Sequence, residues 1–73
     1  MENKLLCIIN EILEIKKEKK VEKLTLEWSL RDDLGFTSFD LAELTVRIED
    51  EFDVDIFEDG LVDTISEVIA KLK

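Results

Sequence analysis

The 73-residue chain has no histidine, no tyrosine and no proline, and only one cysteine and two glycines. Without histidine, a Ser/His or Cys/His nucleophile pair is excluded, and so is a histidine-containing zinc site. Carboxylate-only acid–base chemistry survives that test. A chain this short, however, buries only about 60% of its unfolded surface and has little room to enclose a substrate. An enzyme acting alone is therefore not expected. The lone Cys7 cannot close an internal disulfide, which suits a reducing cytoplasmic setting. Long apolar runs are absent as well. Leu5–Ile9 breaks at Asn10-Glu11, far short of the roughly 20 residues of a membrane span, so neither a signal peptide nor a membrane partner is expected.

Positive charge is scarce and unevenly placed. The net charge is −9, from 19 acids against 10 bases. Residues 1–23 carry five acids and six bases, for +1, whereas residues 40–59 carry nine acids and only Arg47, for −8. Such a field repels phosphate backbones, and no nucleic-acid partner is expected. It should instead attract basic surfaces on other proteins.

With no proline and with glycine only at positions 35 and 60, little interrupts helices. Residues 3–16 place Leu5, Leu6, Ile8, Ile9, Ile12, Leu13 and Ile15 on one broad helical stripe. Cys7 falls on the opposite side and reads as an exposed, inert thiol. Residues 17–37 form a long connection that carries Val21, Leu24, Leu26, Trp28, Leu30 and Leu34, some of which should pack on the bundle and order it. Within it Ser29 can cap a short turn that stops at Gly35. A second helix is expected over 38–52, with Leu41, Leu44, Thr45, Ile48 and Phe52 on its core face. Asp40, Glu43, Arg47, Asp50 and Glu51 then take the opposite face, and Phe39 and Val46 lie beside the acids. One short helical turn is expected at 57–61. Thr64-Ile65-Ser66-Glu67 reads as a capping box that opens a closing helix, with Lys71 suited to the negative end of that helix. Three main helices plus a short one, without strand alternation, predict a single all-α domain over 1–73, a small four-helix bundle.

Three features bear on chemistry. The acidic bend around Gly60 fails as an EF-hand, because Phe57 and Ser66 occupy positions that need calcium ligands. No metal site is expected there, and a solvated acidic face is the simpler account. The second concerns the start of the second helix. Thr37 at N-cap, Asp40 at N3 and a staple from Phe36 to Leu41 make an ordinary helix start. They also leave the Ser38 hydroxyl free beside the unpaired amides of the first turn, where a phosphate group is favoured. Third, Phe39 and Val46 make a small apolar patch ringed by acids, which suits a docking surface as well as a chance exposure.

"DDLGFTSFDLAELTVRIEDEFDVDI" resembles the signature of acyl carrier proteins, in which a Leu-Gly turn precedes Asp-Ser-Leu and an acidic helix ending in Glu-Phe. The resemblance runs without a gap from Asp33 to Ile56 and extends over nearly the whole chain. It implies an acyl-carrier-like bundle with a long ordered loop between its first two helices. It also implies that Ser38 accepts 4′-phosphopantetheine from coenzyme A through a phosphopantetheinyl transferase. Cargo would then ride as a thioester on the arm's thiol, not on Cys7. By the same resemblance, Phe39, Asp40, Glu43, Val46, Glu49 and Asp50 meet basic-patched synthases, transferases or acyl-activating ligases. Leu30, Leu41, Leu44, Ile48 and Ile65 would border a cargo cleft.

Two letters depart from the pattern: Thr37 stands where aspartate is usual, and Phe39 where leucine is usual. Neither touches the attachment hydroxyl, but both bear on partner choice. Fatty-acid synthesis, a specialised pathway and an aminoacyl cargo such as D-alanine all stay open, as does an unmodified acidic helical adaptor. Strong acidity argues against a peptidyl carrier, and the length suits a free-standing, monomeric carrier.

Overall fold

The computed structural model describes residues 2–58 and 60–72. Three helices appear in the order α1 (Glu2–Ile15), α2 (Ser38–Phe52) and α3 (Ile65–Leu72). Of the stripe that its spacing predicts, the first buries Leu5, Ile8, Ile9, Ile12 and Leu13 and leaves Leu6 half-buried. Ile15 departs from that stripe and is 66% exposed. The reason is local: Ile15 is the last residue of α1, and the chain turns away two residues later through a left-handed Lys17, φ 64°. There the Glu18 N–H donates to the Leu13 carbonyl at 2.8 Å and the Lys17 N–H to that of Glu14 at 3.0 Å. This pair of bonds is the Schellman pattern, formed here without the usual glycine.

Helix α1 packs against α2, and Leu41, Leu44 and Ile48 fill the seam from the α2 side. From α3, Ile65, Val68 and Ile69 close the third side. No strand forms among the described residues beyond one isolated antiparallel bridge, Ser29 to Thr64.

The connection over 16–37 is ordered by three devices. The Asn10 side chain takes both backbone groups of Val21, donating to its carbonyl and accepting from its N–H, each at 2.9 Å. Further along, the Trp28 and Leu26 carbonyls accept from the Ile65 and Ser66 N–H groups at 3.0 Å, which satisfies orphan amides of α3. Finally, the Ser29 hydroxyl accepts from the Asp32 N–H at 3.1 Å and opens a short turn that ends at Gly35, φ 69°. Leu30, Leu34 and Phe36 are thereby driven into the core.

The short helix expected at 57–61 is not found among the described residues. Successive turns stand there instead: the Glu58 N–H reaches the Asp55 carbonyl and the Gly60 N–H that of Phe57, both at 3.2 Å. Ile56 and Val62 anchor the segment in the core. No described helix is long and apolar enough to cross a membrane.

Candidate functional site

The start of α2 is built from Thr37 upward. Thr37 is extended, with φ −85° and ψ 176°, and caps the helix. Its hydroxyl accepts from the Asp40 N–H at 3.3 Å, while Asp40 Oδ2 accepts from the Thr37 N–H at 2.9 Å and from its hydroxyl at 3.1 Å. This is the full reciprocal box. Ser38 follows as the first helical residue, exposed. Its hydroxyl takes no hydrogen bond among the described residues.

Asp40 is placed differently from its expected position on the open acidic face. It is only 8% exposed. Its carboxylate turns inward to the Lys16 ammonium, and Lys16 also donates to the Gly35 carbonyl at 3.3 Å. On the helical wheel Asp40 lies at the border of the core face, next to where α1 ends and delivers Lys16. Burial alone would raise its carboxyl. Hydrogen bonds from Lys16 and Thr37 outweigh that and hold it below its ordinary value. Asp40 is thus a positioning group for the α2 terminus rather than a free surface charge.

The remaining surface residues spread over the outer side of α2. Phe39 is 81% exposed and Val46 65%, two turns apart on one side. Glu49, Asp50 and Asp53 surround Val46 and are exposed. Glu43 is half-buried, and its carboxylate accepts from Arg47 at 2.7 Å; Arg47 also reaches Glu11 at 3.2 Å. The unpaired negative field of the helix therefore concentrates in its second half.

Beside Ser38 lies an open groove of about 360 Å³. Ser38, Leu41, Ala42 and Thr45 line it from α2, Arg31 from the preceding turn, and Phe57 and Leu61 from the α2–α3 connection. Of the five residues expected to border a cleft, only Leu41 reaches this groove. Leu30, Leu44, Ile48 and Ile65 are each 0% exposed and form the closed core. Their spacing marked them as apolar and inward, but the groove runs along the flank of that stripe. Arg31, Phe57 and Leu61 were missed. Arg31 did carry a signal, as the sole basic residue between Lys23 and Arg47.

A free hydroxyl on the first turn of a helix, flanked by an apolar groove and one guanidinium, fits a phosphodiester-linked arm. The family described as "Phosphopantetheine attachment site" matches residues 3–72. The chain belongs to this family. It is a carrier that bears a covalent 4′-phosphopantetheine arm. The carrier is similar to an acyl carrier protein of Syntrophus aciditrophicus (strain SB), 41% identical over all of this chain and 89% of the relative. It is also similar to one of Buchnera aphidicola subsp. Schizaphis graminum, 42% identical over 81% of this chain and 70% of the relative. A third, from Exiguobacterium sp. (strain ATCC BAA-1283 / AT1b), is 31% identical over 94% of this chain and 90% of the relative. No solved structure matches the carrier.

Proposed function

We propose that Ser38 is the attachment residue and that the carrier presents acyl intermediates, held as thioesters, to enzymes of a fatty-acid or specialised biosynthetic route. One observation carries this reading: the Ser38 hydroxyl is exposed and takes no hydrogen bond among the described residues at the first helical position, because Thr37 and Asp40 already perform the capping. In the loading reaction the Ser38 oxygen bonds to phosphorus, the pyrophosphate link of coenzyme A breaks, and the adenosine bisphosphate leaves. A separate phosphopantetheinyl transferase takes up the serine proton. The carrier itself contributes no catalytic group.

Partners read the outer side of α2. Phe39 and Val46 supply apolar knobs, and Glu49 and Asp50 steer basic patches, with Glu43 contributing once Arg47 is displaced. These encounters are weak and salt-sensitive, since exposed charges are screened over about 8–10 Å at physiological ionic strength. Residues 1–73 act as one monomeric carrier domain in the cytoplasm. The turns closed by the Glu58 and Gly60 amides stand where the short fourth helix of a carrier bundle would form. Leu30, Leu44, Ile48 and Ile65 border cargo only when the bundle opens around a chain.

Intact mass after incubation with coenzyme A and a broad-specificity transferase tests the assignment. The parent gains the mass of one arm, as do Cys7→Ala and Ser66→Ala, whereas Ser38→Ala gains none. A parent that stays unchanged while a known carrier is labelled alongside sinks the reading.

A further inference from the structure

We propose that Arg31 holds the phosphodiester of the arm, seating the beginning of the arm in the groove between α2 and the α2–α3 connection. This rests on Ser38 being the attachment residue. Arg31 and Ser38 line the same groove. The other described cations that reach α2 are committed: Lys16 to Asp40, Arg47 to Glu43 and Glu11, and Lys4 to Glu51. Arg31 takes no ion pair or hydrogen bond among the described residues.

Two neighbouring carboxylates that could have claimed it are engaged elsewhere. Asp33 accepts from the Ser29 N–H at 2.7 Å, and Asp63 accepts from the Ser29 hydroxyl at 2.8 Å. Asp32 is adjacent in the chain and exposed, without a bond to the guanidinium. A free cation in an otherwise acidic neighbourhood is thus left beside the hydroxyl.

The chemistry of the arm runs in a matching order. A phosphodiester monoanion comes first, and a guanidinium fork can hold its two non-bridging oxygens at once. The branched hydrocarbon of the pantoyl group follows directly, and Leu41, Ala42, Phe57 and Leu61 offer it an apolar wall. That wall also keeps water from one side of the ion pair, which strengthens it relative to bulk solvent. Arg31 therefore parks the arm along the groove between encounters.

The test loads the parent, Arg31→Gln and Arg31→Lys from coenzyme A, confirms each by intact mass, and records phosphorus NMR and arginine side-chain N–H spectra. In the parent, the phosphorus resonance is displaced from its position in the urea-unfolded protein. The Arg31 Nε–H signal shifts on loading and exchanges with water several-fold more slowly. Arg31→Gln returns the phosphorus signal to the unfolded position while the circular dichroism stays helical, and Arg31→Lys keeps only part of the displacement. A phosphorus resonance identical in the parent and Arg31→Gln overturns the contact, as does an Arg31 signal indifferent to loading. A parent that gains no mass overturns the attachment reading itself, and that result is in hand before any spectrum is recorded.

Discussion

Helices α2 and α3 open with the same device and put it to different use. Thr37 and Asp40 cap α2, and Thr64 and Glu67 cap α3, each pair exchanging a hydroxyl bond for a carboxylate bond. Glu67 is exposed and takes only groups of its own neighbours, the amides of Thr64 at 2.9 Å and Asp63 at 3.0 Å and the Thr64 hydroxyl at 3.2 Å. Asp40 is buried and takes Lys16 as well, from beyond the end of α1. One box is a local start signal; the other fastens two helices together. The residue inside each box differs accordingly. At the first position of α3 stands Ile65, locked in the core, while at that of α2 stands Ser38, open to solvent. A capping motif can therefore serve folding alone or hold a modifiable hydroxyl in a fixed place.

The largest expected effect is at the fastened box. Asp40→Ala removes two cap bonds and leaves Lys16 without its carboxylate partner, and should lower the unfolding free energy by about 2–3 kcal/mol in urea titrations. Thr64→Ala, at the local box, should cost about 1 kcal/mol. Equal losses would erase the distinction.

Acid provides the next contrast. Both carboxyls titrate below their ordinary values of 3.8 and 4.5, Asp40 through Lys16 and Thr37 against its burial, Glu67 through the Thr64 and Asp63 amides. For a depressed carboxyl, stability is complete above the unfolded-state value and is lost as pH falls through the folded-state one. Stability followed from neutral pH into acid should flatten more in Asp40→Asn than in Glu67→Gln. The same flattening in both would mean that Lys16 adds nothing.

The smallest effect concerns how Lys16 is delivered. Lys17 pays a left-handed strain that glycine avoids, offset in part by the added freedom of glycine in the unfolded chain. Lys17→Gly should gain about 0.5 kcal/mol in thermal or urea unfolding without changing the loading rate at Ser38. A loss of stability would show that the turn needs the lysine side chain.

Much of this was legible beforehand, and for physical reasons. The starts of α2 and α3 follow from Thr37 and Thr64, since a cap declares a helix start independently of tertiary structure. Phe39 and Val46 could be placed outside the core from periodicity alone. The groove could not be placed, because Phe57 and Leu61 sit in a connection without a repeat, and only the fold brings them beside Leu41. Nor could the inward turn of Asp40, whose partner is 24 residues away.

The Asn10 side chain has a consequence for how the carrier breathes. By taking both backbone groups of Val21 it imitates a neighbouring strand and splits the long connection into two shorter loops. Loop closure costs grow only with the logarithm of length, about 0.6 kcal/mol per doubling, so the split matters less for total stability than for independence. The lysine-rich lobe after α1 can open and reclose while the turn bearing Arg31 stays shut against α3. In hydrogen exchange the two halves of one connection would then keep separate clocks.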